Sequence, residues 1–457
     1  DIDAHDVRAI DVSLTNLDLS RVAPMVPDAG LLGGRVDGEI HATPALAKVD
    51  MRLDARGVRH THLPGPIEFK LEGHANDERT GLTLAAGVGG TPLAALALRL
   101  DIGAATLASH PERAVAPRTN AEVELDLDQF PIALLADLRN EPPGITITSV
   151  RQAYRGEISM RGTVKRTAKK LSGQIEVNGS RLVWVEGASA ITATVSATLD
   201  DNQLAISAIA EGNGIGVIDL AVTGHTPVDA LDVGAWQALG TNAIHSLTLD
   251  ASAVDLGSID RMTNRGFPVK GRLDARIIGS SGLRKIDGRV ELRGLANRDS
   301  QTVFDTFISL AGGGKSTDLE AEVAYKNQRV ATATASLAID FPRLVNDLPN
   351  LAKVPLSAEL AVHDMPLEGL AGALSMHVPV AGTLSATAAL AGTLENYVGT
   401  IHLDAGKAEV KDQRFEYFLA DLRIDRTDIE AHARAQEEQG GSMSLDAKLG
   451  LALGAPI

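Results

Sequence analysis

The feature that most limits what this chain can fold into is an alternation of period two. Along nearly its whole length every second residue is apolar, and the residues between are Asp, Glu, Arg, Lys, Thr or Ser. That is the side-chain period of a strand with one face out of water. Ile67, Phe69 and Leu71 alternate with Glu68, Lys70 and Glu72, and Val123, Leu125 and Leu127 alternate with Glu122, Glu124, Asp126 and Asp128. These stretches predict half-buried antiparallel strands. Between them stand the turn residues of short hairpins: Asp200-Asp201-Asn202, Gly212-Asn213-Gly214, Lys326-Asn327 and Gly440-Gly441. Strand does not alternate with long helix, which sets aside doubly wound and barrel α/β folds. Short helices are expected only where alternation stops, near 20–27, 129–138, 258–264 and 366–374, the second capped by Asp128 with Pro131 in its first turn.

Composition narrows the chemistry. The 457 residues include no cysteine, so disulfides, thiolate metal sites and thiol nucleophiles are excluded. A net charge of −16, from 43 basic and 59 acidic residues, argues against nucleic-acid binding, which needs a basic face. With 44% hydrophobic and 22% charged residues the chain folds rather than remaining disordered. Asp1 opens a polar segment with neither initiator Met nor secretory signal, as expected of a piece of a longer chain. Two uncharged runs, Leu82 to Leu98 and Gly369 to Leu394, contain internal Gly, Pro or His and alternating Thr/Ser. Both read as strands around turns and not as membrane helices.

A unit recurs in which an acidic strand end leads into a short helical or irregular segment and then a Gly-initiated strand. Gly34, Gly156, Gly271 and Gly382 anchor the copies at separations of 122, 115 and 111 residues. The expected architecture is all-β: an elongated, twisted antiparallel sheet curled into a groove, a β-taco, built from about four such repeats with short helices between them. The units are expected at 1–127, 128–256, 257–365 and 366–457 within one continuous repeat region. Roughly 27 strands at a spacing of about 4.8 Å give a rod on the order of 130 Å long, and twist makes so long a sheet coil. The apolar stripe carries Val36, Ile40, Met51, Leu53, Ile67, Phe69, Leu71, Val123, Leu125, Ile158, Met160, Ile175, Val177, Leu273, Ile277, Leu384, Ile401 and Leu403. Aromatic residues are 3% of the chain, too few to fill a wide interior, and an aliphatic channel suits acyl chains.

The series Gly34-x-Val36-x-Gly38-x-Ile40, then Pro44-x-Leu46-x-x-Val49-x-Met51-x-Leu53, resembles the repeats of the TamB/AsmA-like family. So does Gly382-x-Leu384 through Gly392-Thr393-Leu394, with Gly399-x-Ile401-x-Leu403 and a strand from Phe415 to Ile424. The resemblance covers nearly the whole chain as a repeat style. It implies a bridge-like lipid transfer protein of the Gram-negative envelope: periplasmic, anchored in the inner membrane by an N-terminal helix, and conducting phospholipid between inner and outer membranes along a hydrophobic β groove. It further implies an Omp85-type outer-membrane barrel as partner and a part in outer-membrane homeostasis and barrel-protein assembly. Neither the anchor helix nor a C-terminal outer-membrane module is recognisable in these residues. The third unit also departs from the pattern, with Ser280-Ser281-Gly282 where the family places a Pro-containing turn.

Enzymatic readings find little support, and neither cofactor nor metal is expected. Gly312-Gly313-Gly314-Lys315-Ser316 has Ser309 where a phosphate loop needs glycine, and a strand pattern follows it. Gly212-Asn213-Gly214-Ile215-Gly216 fails the dinucleotide fingerprint in the same way. His60-Thr61-His62 places two imidazoles on one strand face, but Pro64 and Gly65 follow and no third ligand is near, so a solvated loop is the expectation. Glu122 and Glu124 fall on the outer face as solubilising charge. Two functions remain: a phospholipid-conducting β groove, or a structural or adhesive β-rod of the envelope with a dry interior. Repeat spacings above 100 residues, far longer than a solenoid turn of roughly 20–30 residues, favour the groove.

Overall fold

A computed structural model describes residues 8–22, 31–60, 65–114, 119–132, 155–167, 170–183, 189–227, 233–263, 269–297, 300, 302–346, 352–373, 379–393, 396–410, 413–425 and 428–450. The fold is all-β, antiparallel and 74% strand, with a few short helices. The chain divides into two compact units, the first comprising residues 1–213 and 221–240 and the second 214–220 and 241–457.

Unit 1 is an antiparallel meander of β1 (Ile10–Asp18), β2 (Leu31–Ala42), β3 (Lys48–His60), β4 (Ile67–Asn76), β5 (Thr80–Val88), β6 (Thr91–Leu100), β7 (Ala121–Pro131), β8 (Arg155–Thr167), β9 (Lys170–Val183), β10 (Ile191–Asp200) and β11 (Gln203–Gly212). Each strand pairs with the next in sequence. Helix α1 (Leu19–Val22) follows β1, α2 (Ala104–Ser109) lies between β6 and β7, and α3 (Val233–Leu239) is the third helix. Strand β12 (Gly216–His225) straddles the division.

Unit 2 repeats the design with β13 (Ile244–Asp255), β14 (Val269–Ser280), β15 (Lys285–Asn297), β16 (Phe304–Gly313), β17 (Thr317–Tyr325), β18 (Gln328–Leu337), β19 (Leu356–Pro366), β20 (Val380–Thr393), β21 (Asn396–Val410), β22 (Gln413–Asp425), β23 (Asp428–Glu437) and β24 (Ser442–Gly450). Pairing again follows sequence order. Its helices are α4 (Leu256–Thr263), α5 (Phe341–Asn346) and α6 (Leu367–Ala373).

Turn residues act as their chemistry requires. Asp201 and Asn202 take φ of 47° and 65°, and Lys326 and Asn327 take 49° and 64°. Two successive left-handed residues twist in the same sense as the strands they join. Gly312 and Gly313 end β16, and Gly314 to Ser316 connect it to β17 as a hairpin with strand on both sides. The run Leu82 to Leu98 forms β5, a Gly89-Gly90 turn and β6.

The four anchor glycines share one backbone state. Gly34, Gly156, Gly271 and Gly382 have φ of 134°, 112°, 146° and 118°, a region closed to most side chains. In each copy the preceding strand bulges around one left-handed residue: Asn16, Gln129, Ala253 or Asp364. The bulge turns the chain out of the sheet, and at β1, β13 and β19 a short helix follows directly.

Several expectations are corrected. Helices occupy 19–22, 256–263 and 367–373, close to three of the predicted sites. For the helix expected at 129–138, β7 runs through a bulge at Gln129 as far as Pro131, so Asp128 and Pro131 lie in a strand and not at a helix start; residues 133–138 lie outside the described residues. Of the run from Gly369 to Leu394, residues 369–373 are in α6 and 380–393 form strand β20, while 374–378 and Leu394 lie outside the described residues. The predicted count of roughly 27 strands exceeds the 24 found among the described residues. Curling into a β-taco is also more than the sheet does, since it is neither closed nor strongly curled. Register shifts fall near strand ends, while pairing through the middle of the ladders is regular.

The core is thin and marginal. In unit 1, Val36, Ala55 and Val58 are buried under Leu19 of α1, beside Leu53 and Phe69. Ala42, Leu46 and Ala104 form a second cluster with Val49, Ala75 and Ala105, under α2 and the turn at Pro44–Leu46. Val36 and Ala42 lie on the same face of β2, six residues or about 20 Å apart. Short helical segments therefore cover the apolar face of β2 to β4 at both strand ends and leave its middle open.

Candidate apolar face

Strand register assembles the scattered alternation into continuous rows. In unit 1 one row runs Leu14, Gly38, Leu53, Leu71, Leu84, Leu96, Leu125, Gly162, Ile175, Ala197 and Ile206, one residue from each strand β1 to β11. The next row holds Val12, Ile40, Met51, Gly73, Leu82, Leu98, Val123 and Val164. A third carries Val36, Ala55, Phe69, Ala86, Ala94, Leu127, Met160 and Val177. Ile67 and Ile158 lie one step further along β4 and β8. None of these rows contains a charged residue.

Unit 2 is built alike. Its central row is Ala251, Ala275, Val290, Ile308, Ala321, Ala333, Leu360, Ala388, Ile401, Leu422, Ala431 and Ala447. Leu273 and Leu403 share the adjacent row, Ile277 lies in the row on the other side, and Leu384 pairs with Met365 and Ala405 near the α6 end. The predicted stripe residues of each unit thus share one face. Val36 is buried, Val123 and Ile175 are 36% and 37% exposed, and the others are half-buried. Glycines in the rows admit larger neighbours: a Cβ on Gly73 would sit 3.0 Å from Met51 Cε, and one on Gly162 would sit 3.0 Å from Ile175 Cγ1.

Sequence reading missed the contribution of β5 and β6, whose Leu82, Leu84, Leu96 and Leu98 sit at the centre of the unit 1 face. Ala85, Ala95 and Ala97 occupy the opposite face of these strands, so the run reads as apolar throughout and its period of two is blurred. The outward positions as a whole are the usable signal, since the glycine turn fixes the register.

The other face is an ionic ladder. Asp11, His41, Asp50 and His74 stand in one cross-strand row that continues through Gly81 to Arg99, Glu122 and Lys165. His41 Nδ1 lies 2.7 Å from Asp11 Oδ1, and His74 Nδ1 lies 2.9 Å from Asp50 Oδ1. Lys165 and Arg99 reach Glu122 at 2.7 and 3.2 Å. The hydrogen bond to Asp11 raises the His41 pKa above its ordinary value. Hydrogen bonds from Lys48 and then His74 lower that of Asp50, and the Lys165 ammonium lowers that of Glu122. These groups are exposed, so their pairing orders the surface more than it stabilises the fold.

Shallow hollows also open on the polar side. One of about 530 Å³ has Ala85, Ala95 and Ala97 in its floor, with Lys70, Glu124, Asp126 and Arg161 around them. In unit 2 another of about 390 Å³ lies between Ser309, Asp318, Ser336 and Glu359. Charged and hydroxyl linings suit water, and their openness reflects small side chains in a pleated surface. Among the described residues no group of three or more His, Asp or Glu side chains could hold a metal ion, and His62 lies outside them. No helix among them is long and apolar enough to cross a membrane. Comparison with protein families, curated proteins and solved structures finds no match to this chain, so its functional reading rests on the two faces themselves.

Proposed function

We propose that the apolar face of each unit holds the acyl chains of phospholipids and lets them pass from strand to strand, with headgroups kept in water. The observation that carries this reading is the set of uncharged rows that run through β1 to β11 of unit 1 and β13 to β24 of unit 2 and stay half-open between short marginal helices. Within each unit the strands touch chiefly their ladder neighbours and these helices. An uncovered aliphatic surface of this extent is a binding surface by default. Each methylene withdrawn from water contributes about 0.8 kcal/mol, so a two-chain lipid needs no charged contact to be held. Selectivity for headgroup is accordingly weak. The reaction chemistry of an enzyme has no place in this proposal, nor has a cofactor. Its setting, drawn from the repeat resemblance, is the periplasm between inner and outer membranes.

Photo-crosslinking in cells tests it. Crosslinkers at Leu71, Ile175 and Ile277 face the aliphatic rows, and controls at Lys70, Glu176 and Arg276 face the ionic ladder. Phospholipid adducts are expected on the first set. If that set captures no phospholipid, or no more than the controls, the conduit is wrong and the structural or adhesive β-rod takes its place.

A further inference from the structure

We infer that the polar face of the β14–β15 hairpin binds a phosphate group between the guanidinium groups of Arg276 and Arg289. The inference is independent of the lipid reading, because these two residues stand on the face opposite Ala275 and Val290. From Val269 to Asn297 the hairpin carries seven basic and three acidic residues, in a chain with 43 basic and 59 acidic. Arginine stands directly opposite arginine twice on its polar face, as Arg272 with Arg293 and as Arg276 with Arg289. Like charges so placed repel. An oxyanion seated between two planar forks replaces that repulsion with paired N–H···O contacts, the geometry by which arginine recognises phosphate.

The first pair is balanced within the protein. Arg272 faces Asp255 across β13, and Arg293 Nε lies 2.5 Å from Glu291 Oε1. In the second pair only Arg276 is balanced, with its Nε 3.6 Å from Asp250 Oδ1. Arg289 is exposed in the middle of its ladder, with the Ser309 hydroxyl group on the next strand opposite it. Among the described residues no carboxylate forms an ion pair with Arg289, the neighbouring Asp287 and Glu291 included. The acidic row beside it is already engaged, Glu291 by Arg293 and Asp274 by the Ala253 N–H. Unit 1 supplies the contrast. Its β2–β3 ladder repeats the register, with Arg35 opposite Arg56 and Asp37 opposite Asp54, but the next row sets Glu39 against Arg52. The fold of the repeat therefore does not require a base at position 276, and the doubled charge is a departure that an anion explains.

The test uses the full 457-residue chain and two probes: inorganic phosphate in equilibrium dialysis, and phosphatidylcholine vesicles containing phosphatidylglycerol in co-sedimentation. Arg289→Gln removes one fork, and Arg276→Glu gives Arg289 the acidic neighbour that Glu39 provides to Arg52. Each change should weaken binding of at least one probe by about tenfold. Arg52→Gln, at the matching register position of unit 1, should leave both probes unchanged. Weakened binding of inorganic phosphate assigns the site to a soluble phosphate, and weakening confined to vesicles assigns it to a lipid headgroup. Failure of both probes to bind overturns the proposal, as does an equal loss in Arg52→Gln. Vesicle binding that persists unchanged in every variant, with no binding of inorganic phosphate, also overturns it by assigning the vesicles to the apolar face. A crosslinker at position 276 replaces the arginine itself, so that control in the lipid experiment abolishes the site and does not report it.

Discussion

The backbone N–H of Ala253 donates to Asp274 Oδ1 at 2.8 Å, from the left-handed residue of the β13 bulge to the third residue after the anchor Gly271. The same latch recurs in the other three copies. Asn16 N–H donates to Asp37 Oδ1 at 2.7 Å, Gln129 N–H to Ser159 Oγ at 3.1 Å and Asp364 N–H to Ser385 Oγ at 3.2 Å. A bulge leaves one amide outside the ladder, and a short oxygen-bearing side chain on the next strand supplies the missing acceptor.

Asp274→Ala removes that acceptor and leaves a half-buried amide unsatisfied. The expected loss is about 1 kcal/mol in urea unfolding, with faster amide exchange at Ala253. Asp274→Ser should recover much of it, because serine fills the equivalent position in two copies.

Gly382→Ala is expected to cost more than Gly294→Ala. At Gly382, φ is 118° and an added Cβ would lie 2.8 Å from the Lys407 carbonyl oxygen. Gly294 has φ of 65° with open space around it. The first change combines backbone strain with a backbone clash and should cost on the order of 2–3 kcal/mol, while the second should cost about 1 kcal/mol. Denaturant titration of the two variants side by side measures the difference.

Leu71→Asp should destabilise more than Lys70→Asp, by about 1–2 kcal/mol. Leu71 is half-buried between Leu53 and Leu84, so the penalty is smaller than for a dry core site. Lys70→Asp is not free of cost either. It removes the ion pair of Lys70 with Glu72 at 2.6 Å and faces Asp54 across the strand. Thermal unfolding of the two variants checks the order, and equal values would mean that the face assignment is reversed.

Nuclear magnetic resonance titration should find His41 with a pKa above 6.5, chiefly through its hydrogen bond to Asp11, with Glu39 and Asp50 adding to it. Because the folded value is raised, the contribution to stability is full below the unfolded value and is lost as pH rises through the folded one. Asp11→Asn should bring the His41 titration back toward the ordinary value and remove that pH dependence at the β1–β2 edge.

Much of this architecture could be read from residue order because its signals are local. Alternation at Ile67 to Glu72 needs only the pleat to become a two-faced strand, and Asp201-Asn202 and Lys326-Asn327 need only their tolerance of positive φ to become hairpins. The glycine spacing marked the repeat because the backbone at Gly34, Gly156, Gly271 and Gly382 excludes a Cβ. Other features were decided by pairing between distant residues. Which Leu meets which Gly along a row depends on the register of residues far apart in the chain, such as Leu125 with Gly162, and a one-residue slip would reverse both faces. The polar pairs His402–Asp421, His432–Asp446 and Glu430–Lys448 appear only once β21 to β24 stand side by side. Curvature likewise belongs to the assembled ladders. Periodicity says that a sheet has an apolar face, but how far it bends over that face is the sum of many small twists and of bulges placed at the strand ends.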